Sequence, residues 1–394
     1  MIEKFSPWPF FDEDERQAVN EMLAGGRVNY WTGEECRYFE KEYAAHLGRK
    51  HAVAVANGTL ALELALIAYD IGPGDEVIVP CRTFIATASC AVMRGATPVV
   101  CDVDINSQNM TAETIAAKIT PRTRAIICVH LAGWPCDMQS IMDLAKKHNL
   151  LVIEDCAQSH GSYYRGRAVG SIGDIAAFSF CQDKIISTGG EGGLVVTDDE
   201  KIFKKCWSYK DHGKDFDAYY HKHHPLGYRW VHESFGTNWR MVELQAVIGR
   251  LQLRKYNEWV KIRRSTAERF NKAFAELPAL RVTLPPREVY HSYYKYYVFV
   301  RPEKLKSGWS RDRIMEEISA AGVPCFTGSC GEIYREKAFD ISIDGRPLRP
   351  AERFPVAREL EETSLMLLCH NTLTQANISD TIKVVSEVVT KATA

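Results

Sequence analysis

Short β-branched runs alternate with helically spaced apolar positions through the first two-thirds of the chain. His51–Ala56 reads as a strand and Thr59–Ala68 as an amphipathic helix. Glu76–Pro80 follows as a strand, Ile85–Met93 as a helix, Pro98–Asp102 as a strand and Ala112–Ile119 as a helix. Arg124–Val129 predicts a strand, Met138–His148 a helix and Leu150–Glu154 a strand, with two more strands at Ile175–Phe180 and Gly193–Thr197. Repeated strand–helix–strand order implies a mostly parallel sheet with helices on both faces. The runs lack polar alternation, as expected of strands buried on both sides.

The rhythm changes near Asn238. Arg240–Ala275 is long, helical and rich in charge, with Gln245, Ile248, Leu251, Leu253 and Trp259 as its apolar or stem-forming positions. After Pro285-Pro286 come an aromatic strand at Tyr293–Val300, a helix at Arg311–Ala321, a loop through Cys325–Gly331 and a last helix near Ile378–Val389. The pattern divides the chain into a large α/β domain over residues 1–250 and a smaller C-terminal α+β domain over 251–394.

Composition narrows the function classes. Hydrophobic residues make up 46% and charged residues 25% of 394, the balance of a soluble globular protein and not of a disordered chain. Lys+Arg number 49 against 50 for Asp+Glu, so bulk charge favours neither nucleic acid nor an anionic membrane. The longest apolar stretches, around Ala125–Ala132 and Leu60–Tyr69, fall well short of the ~18–20 residues of a membrane span. The first residues lack a basic region followed by an apolar core, and the expected location is the cytoplasm. The twelve cysteines are scattered, without zinc-type spacing, and read as free thiols in a reducing compartment. No metal site is expected.

Three segments carry residues suited to chemistry. In Ala56-Asn57-Gly58-Thr59-Leu60-Ala61-Leu62 a strand ends, Asn-Gly turns the chain, and a helix begins at Thr59. Free N–H groups and the positive end of the helix dipole form a phosphate site there, although the same residues also read as an ordinary helix cap. In Leu151–Gly161 an apolar strand delivers Glu154 and Asp155, then small residues and Gln158. Ligands in α/β sheets bind outside the carboxyl ends of strands, and a carboxylate there suits a cationic ring nitrogen; a capping aspartate is the plainer reading. In Phe178–Gly193, Ser179 ends a strand and Lys184 precedes a run containing Gly189, Gly190, Gly192 and Gly193. A sheltered lysine can serve as an amine nucleophile or base. The glycine run has neither P-loop nor Rossmann order. Phosphate cradle, strand-end carboxylate and sheltered lysine together match the needs of pyridoxal 5′-phosphate: N–H groups and a hydroxyl for its phosphate, a carboxylate for its pyridine nitrogen, a lysine for a Schiff base.

From about Tyr30 to the end, the chain resembles the sugar aminotransferases of the DegT/DnrJ/StrS family, which depend on pyridoxal phosphate. The resemblance rests on Asn57-Gly58-Thr59, on Gly74–Pro80 with Thr83-Phe84-Ile85-Ala86-Thr87, on Glu154–Gly161, on Phe178–Lys184 with Gly190-Glu191-Gly192-Gly193, and on Gly236-Thr237-Asn238-Trp239-Arg240-Met241. It implies the aspartate-aminotransferase-like fold type I: a mostly parallel central sheet with helices on both faces, plus a smaller α+β domain. It implies that Phe84 stacks on the pyridine ring, that Asp155 and Gln158 grip the ring, and that Ser179 binds the phosphate alongside Asn57, Gly58 and Thr59. Lys184 would form the Schiff base and move the proton. Asn238 would reach the phosphate of the neighbouring subunit, which implies a homodimer with shared active sites. L-glutamate is the implied donor and a keto sugar the acceptor, in a two-stage ping-pong reaction.

Two stretches depart from the family pattern: Cys181-Gln182-Asp183 before the lysine, and Leu367–Thr372 in place of a leucine-proline block. They lie near the expected substrate entrance and are closest to the branch that aminates a keto-octulosonic acid in lipopolysaccharide synthesis. That acceptor and a nucleotide-linked sugar both stay open. A dehydratase branch carries histidine at the Schiff-base position; Lys184 argues for transamination. A non-catalytic regulator would predict erosion at Lys184, Asp155 or Ser179, and all three are present. His130 and His160 read as cofactor-tuning groups or satisfied buried histidines. His212, before Gly213 in a loop, is a candidate substrate contact.

Overall fold

The computed structural model describes residues 2–394. Seven strands form the main sheet: β1 His51–Val55, β2 Glu76–Pro80, β3 Thr97–Cys101, β4 Thr123–Val129, β5 Leu151–Asp155, β6 Ile175–Ser179 and β7 Gly193–Thr197. Their spatial order is β1-β7-β6-β5-β4-β2-β3. Only β7 runs antiparallel to its neighbours β1 and β6, which makes the sheet mostly parallel. Successive side chains enter different cores. Val53, Val55, Ile153 and Val195 pack with helix Gly58–Ala68 on one face, while Ala52, Ala54, Phe178 and Val196 pack on the other. Both faces are covered, which accounts for the unbroken apolar runs.

The smaller sheet contains β8 Leu280–Arg281, β9 Tyr296–Val300, β10 Cys325–Phe326 and β11 Ser364–Leu367, all antiparallel, in the order β8-β9-β11-β10. It packs on helices Arg311–Ala320 and Gln375–Ala392 around Phe270, Phe274, Val298, Ile314 and Val385. Helix Glu243–Phe274 serves both units. Its first half buries Ala246, Leu253 and Tyr256 with the large sheet, and its end buries Phe270 and Phe274 in the small core. Residue 250 therefore lies within a continuous helix.

Several predicted elements are shorter in the structure, and for two of them the fold shows why. The segment from Ala112 is helical only to Ala116, because Lys118 N–H turns back to the Ile115 carbonyl. The aromatic strand pairs only from Tyr296: Tyr293 has φ 48°, outside the extended region, where the chain crosses the loop at Gly133. A Cβ on Gly133 would lie 2.4 Å from Ser292 Oγ and 3.0 Å from Tyr293 N, so that crossing needs glycine. The last helix is longer than predicted because Thr374 caps it, its hydroxyl accepting from Asn377 N–H at 3.0 Å. Helices Glu13–Gly25, Glu35–Leu47, Glu200–Lys210 and Pro355–Thr363 are additional to those predicted. Among the described residues no helix is long and apolar enough to cross a membrane.

Candidate active site

The carboxyl ends of β1, β2, β4, β5 and β6 converge on a cleft of about 660 Å³. Asn57, Gly58, Thr59, Phe84, Asp155, Gln158, Ser179 and Lys184 all line it. Eight positions spread over more than a hundred residues of sequence are thus brought to one wall by strand order alone.

The β1 end starts helix Gly58–Ala68. Asn57 caps it, its side-chain oxygen accepting from Leu60 N–H at 3.0 Å. The cap role read from the sequence is therefore filled, and the Gly58 and Thr59 N–H groups at the helix start have no partner within the helix. Gly58 sits directly against Ser179: a Cβ there would lie 2.6 Å from Ser179 Cβ and 3.0 Å from its Oγ. Two N–H groups at a helix N-terminus and one hydroxyl therefore share a corner suited to a phosphate.

Asp155 ends β5, almost fully buried. One oxygen accepts from Ala157 N–H at 3.1 Å and the other from the Thr87 hydroxyl at 3.1 Å, with Thr87 in turn 2.9 Å from Thr83 Oγ1. Burial pushes the Asp155 carboxyl up from its ordinary 3.8, while the Ala157 N–H, the Thr87 hydroxyl and the Lys184 charge pull it back. A buried carboxylate in this position gains from a cationic partner. Gln158 is fixed by Ala132 N–H, which donates to its Oε1 at 2.8 Å. Phe84, 66% exposed, presents its ring at the cleft.

Lys184 follows Ser179 in the turn after β6. Its amine lies 3.7 Å from an Asp183 oxygen and 3.5 Å from the Tyr294 hydroxyl, and its side chain is 16% exposed. Trp8 Nε1 donates to the Lys184 carbonyl at 3.2 Å, tying the N-terminal segment to this turn.

Both weighed histidines are buried and satisfied. His160 Nε2 donates to the Ser179 carbonyl at 2.9 Å, and Nδ1 accepts from the Tyr43 hydroxyl at 2.8 Å. Burial pushes His160 down from 6.5 to about 4, which keeps it neutral. His130 bonds Glu154 through Nε2 at 3.1 Å and accepts Cys136 N–H on Nδ1 at 3.0 Å. His130, Glu154 and Cys156 bring ligand-type atoms within 4.8 Å of one another, a grouping that spacing in the sequence does not suggest. Glu154 already accepts from Gly170, Ile172 and Gly173 N–H groups as well, so its oxygens are committed to protein donors.

Two candidates lie outside this cleft. His212 is exposed, with φ 61°, in the loop after helix Glu200–Lys210. Asn238 is also exposed; its side-chain oxygen accepts only from Arg240 N–H, at 3.4 Å. The long helix begins at Glu243, so Asn238 is not its cap. Four residues around the site were not singled out from the sequence: Thr87, Tyr43, Asp183 and Tyr294. Thr87 lies three residues after the candidate Phe84, at the start of helix Ala86–Met93, a signal that was readable. Tyr43 and Tyr294 arrive from remote segments and carry no local signal.

Residues 9–386 match the profile of the DegT/DnrJ/EryC1/StrS aminotransferase family. An aminotransferase from Psychrobacter cryohalolentis superposes with a TM-score of 0.95 at 54% identity, over 98% of this chain and 99% of that one. DesV of S. venezuelae, solved in complex with a ketimine intermediate, superposes with a TM-score of 0.85 at 31% identity, over 98% and 99% of the two chains. GDP-perosamine synthase of Caulobacter vibrioides is 40% identical over 322 residues, 80% of this chain and 81% of that protein. The fold is that of the fold type I pyridoxal phosphate aminotransferases.

Proposed function

The chain belongs to the DegT/DnrJ/EryC1/StrS aminotransferase family and is a sugar aminotransferase; from that premise we propose that it uses pyridoxal 5′-phosphate on Lys184 to move an amino group from L-glutamate to a keto sugar. The observation that carries this reading is the single cleft that holds Lys184, Asp155, Ser179 and the helix start at Gly58. The groups fit the cofactor part by part. Gly58 and Thr59 N–H groups and the Ser179 hydroxyl would hold its phosphate, Asp155 would pair with its ring nitrogen, and Gln158 and Phe84 would fix the ring plane. When bound, the cofactor supplies an electron sink for the carbon that loses a proton. Nζ of Lys184 holds that proton between its removal from the donor and its return.

The name GDP-perosamine synthase carried by the Caulobacter relative supports a GDP-linked keto sugar over a free keto-octulosonic acid as the acceptor, for surface polysaccharide or other amino-sugar synthesis. The working unit is a homodimer with shared sites. Leu226, Tyr228, Trp230 and Phe235 stand 107%, 73%, 86% and 100% exposed just before Asn238, an apolar arm that its own chain leaves uncovered. Asn238 is not among the residues lining its own chain's cleft, which supports a role at the cofactor of a second copy. The chemistry suits a cytoplasmic enzyme. Protein loaded with pyridoxamine phosphate, offered a panel of GDP-linked and free keto sugars, tests the acceptor. The expected result is amination of a GDP-linked sugar; turnover of none of them removes the proposal.

A further inference from the structure

Asp183 and Tyr294 have no part in the roles assigned above, yet both reach the Lys184 amine. Nζ lies 3.5 Å from the Tyr294 hydroxyl, 3.7 Å from Asp183 Oδ1 and 5.0 Å from the centre of the Tyr294 ring. The Tyr294 hydroxyl donates a short hydrogen bond to the other Asp183 oxygen. A phenol has one proton to give. With that proton committed to Asp183, the Tyr294 oxygen faces Lys184 as an acceptor. Burial and the neighbouring Asp183 charge push Tyr294 well above its ordinary 10, so the phenol keeps its proton at neutral pH. A neutral amine in this place gives an N–H to Tyr294, and its lone pair points elsewhere.

The backbone holds Tyr294 at the junction of the two units. Its N–H donates to the Ala132 carbonyl at 2.9 Å, on the loop whose Ala132 N–H fixes Gln158. Its carbonyl accepts from Arg263 Nη1 at 3.3 Å, and the same nitrogen donates to the Cys369 carbonyl at 3.3 Å. Arg263 comes from the long helix and Tyr294 from the approach to β9, so the hydroxyl is delivered to the lysine by the small unit.

We propose that Tyr294 and Asp183 are positioning residues for Lys184, orienting the amine lone pair toward the cleft and steadying the ammonium once it has taken a proton. The inference rests on the reading that Lys184 moves the proton. When it does, the Nζ lone pair forms the new N–H bond and the broken C–H bond leaves its electrons on carbon. Release reverses the change at nitrogen. Tyr294 and Asp183 keep their own protonation states throughout.

Tyr294→Phe and Asp183→Asn test this in the full-length protein. Without added cofactor, the rate at which acetic anhydride acylates Lys184 is read by peptide mass spectrometry. Each variant removes a partner that holds the amine, and labelling rises severalfold in both, more in Asp183→Asn than in Tyr294→Phe. With cofactor restored, the half-reaction with α-deuterated L-glutamate slows in both variants, about tenfold or more, and its primary isotope effect grows. Wild-type labelling rates with a wild-type isotope effect overturn the proposal. So does a fall in active protein that leaves the isotope effect unchanged, the mark of a merely structural role. Pyridoxal phosphate should protect wild-type Lys184 from acylation. Failure of that protection removes the Lys184 reading itself, whereas protection with unmoved variants removes only this inference.

Discussion

His160→Phe takes two hydrogen bonds from the wall behind Ser179 and keeps a ring of similar shape. The Tyr43 hydroxyl, 2% exposed at the residue level, loses its acceptor, and the Ser179 carbonyl loses its donor. Leaving a buried polar group unpaired costs roughly 1–3 kcal/mol each, so the variant should be about 2–6 kcal/mol less stable near pH 7.5. The pH dependence is more diagnostic. His160 titrates at about 4 in the folded protein against an ordinary 6.5. As pH falls below 6.5 the unfolded chain takes up a proton first, so stability present above 6.5 is lost toward pH 4. At pH 5 the wild type has lost about 2 kcal/mol through this group, and the variant has no such group to lose. The stability gap between the two proteins should therefore shrink by about 2 kcal/mol between pH 7.5 and pH 5. Urea unfolding at the two pH values measures it. An equal gap at both would refute a buried neutral histidine bracing Ser179.

Three other expectations follow from the cleft. Gly58→Ala places a Cβ 2.6 Å from Ser179 Cβ; the shift needed costs about 1–3 kcal/mol, and titration with pyridoxal phosphate should show clearly weaker binding, whereas wild-type affinity would mean this corner does not hold the phosphate. Asp155→Asn removes the buried carboxylate but keeps its shape, and stopped-flow of the glutamate half-reaction should show a loss on the order of 10² or more, as for other preorganised charges. Mixed Lys184→Ala and Asn238→Ala subunits should recover up to roughly a quarter of wild-type sites by activity assay, because two-fold mixed dimers carry one intact site; no recovery from exchanging, individually inactive subunits would place Asn238 outside the partner's site.

The strands of the main sheet were legible because burial on both faces leaves no polar position in Val77–Val79 or Ile126–Val129, and β-branched runs of that kind resemble little else. Helix Glu13–Gly25 was not, since only Glu15 in it is buried and its apolar stripe is faint. β11 is four residues long and takes its identity from pairing with Tyr296–Phe299, a contact invisible in local pattern. In the site, Asn57, Asp155, Ser179 and Lys184 were readable because each lies at or shortly after a strand end, where the chain must turn toward the cleft. Tyr294 lies on an irregular approach to β9, with Tyr293 in a left-handed conformation, and an aromatic run there reads as core. Tyr43 lies on a helix that the pattern did not show at all, so its bond to His160 had no counterpart in sequence.

The absorption spectrum of the purified protein tests the central claim most directly. With pyridoxal phosphate added and excess removed, the wild type should carry the visible band of a lysine-bound cofactor, and L-glutamate should convert it to the pyridoxamine form. Lys184→Ala, equally folded, should show no such band. A wild-type protein that stays colourless after reconstitution, or a Lys184→Ala protein that holds the band, would contradict the account.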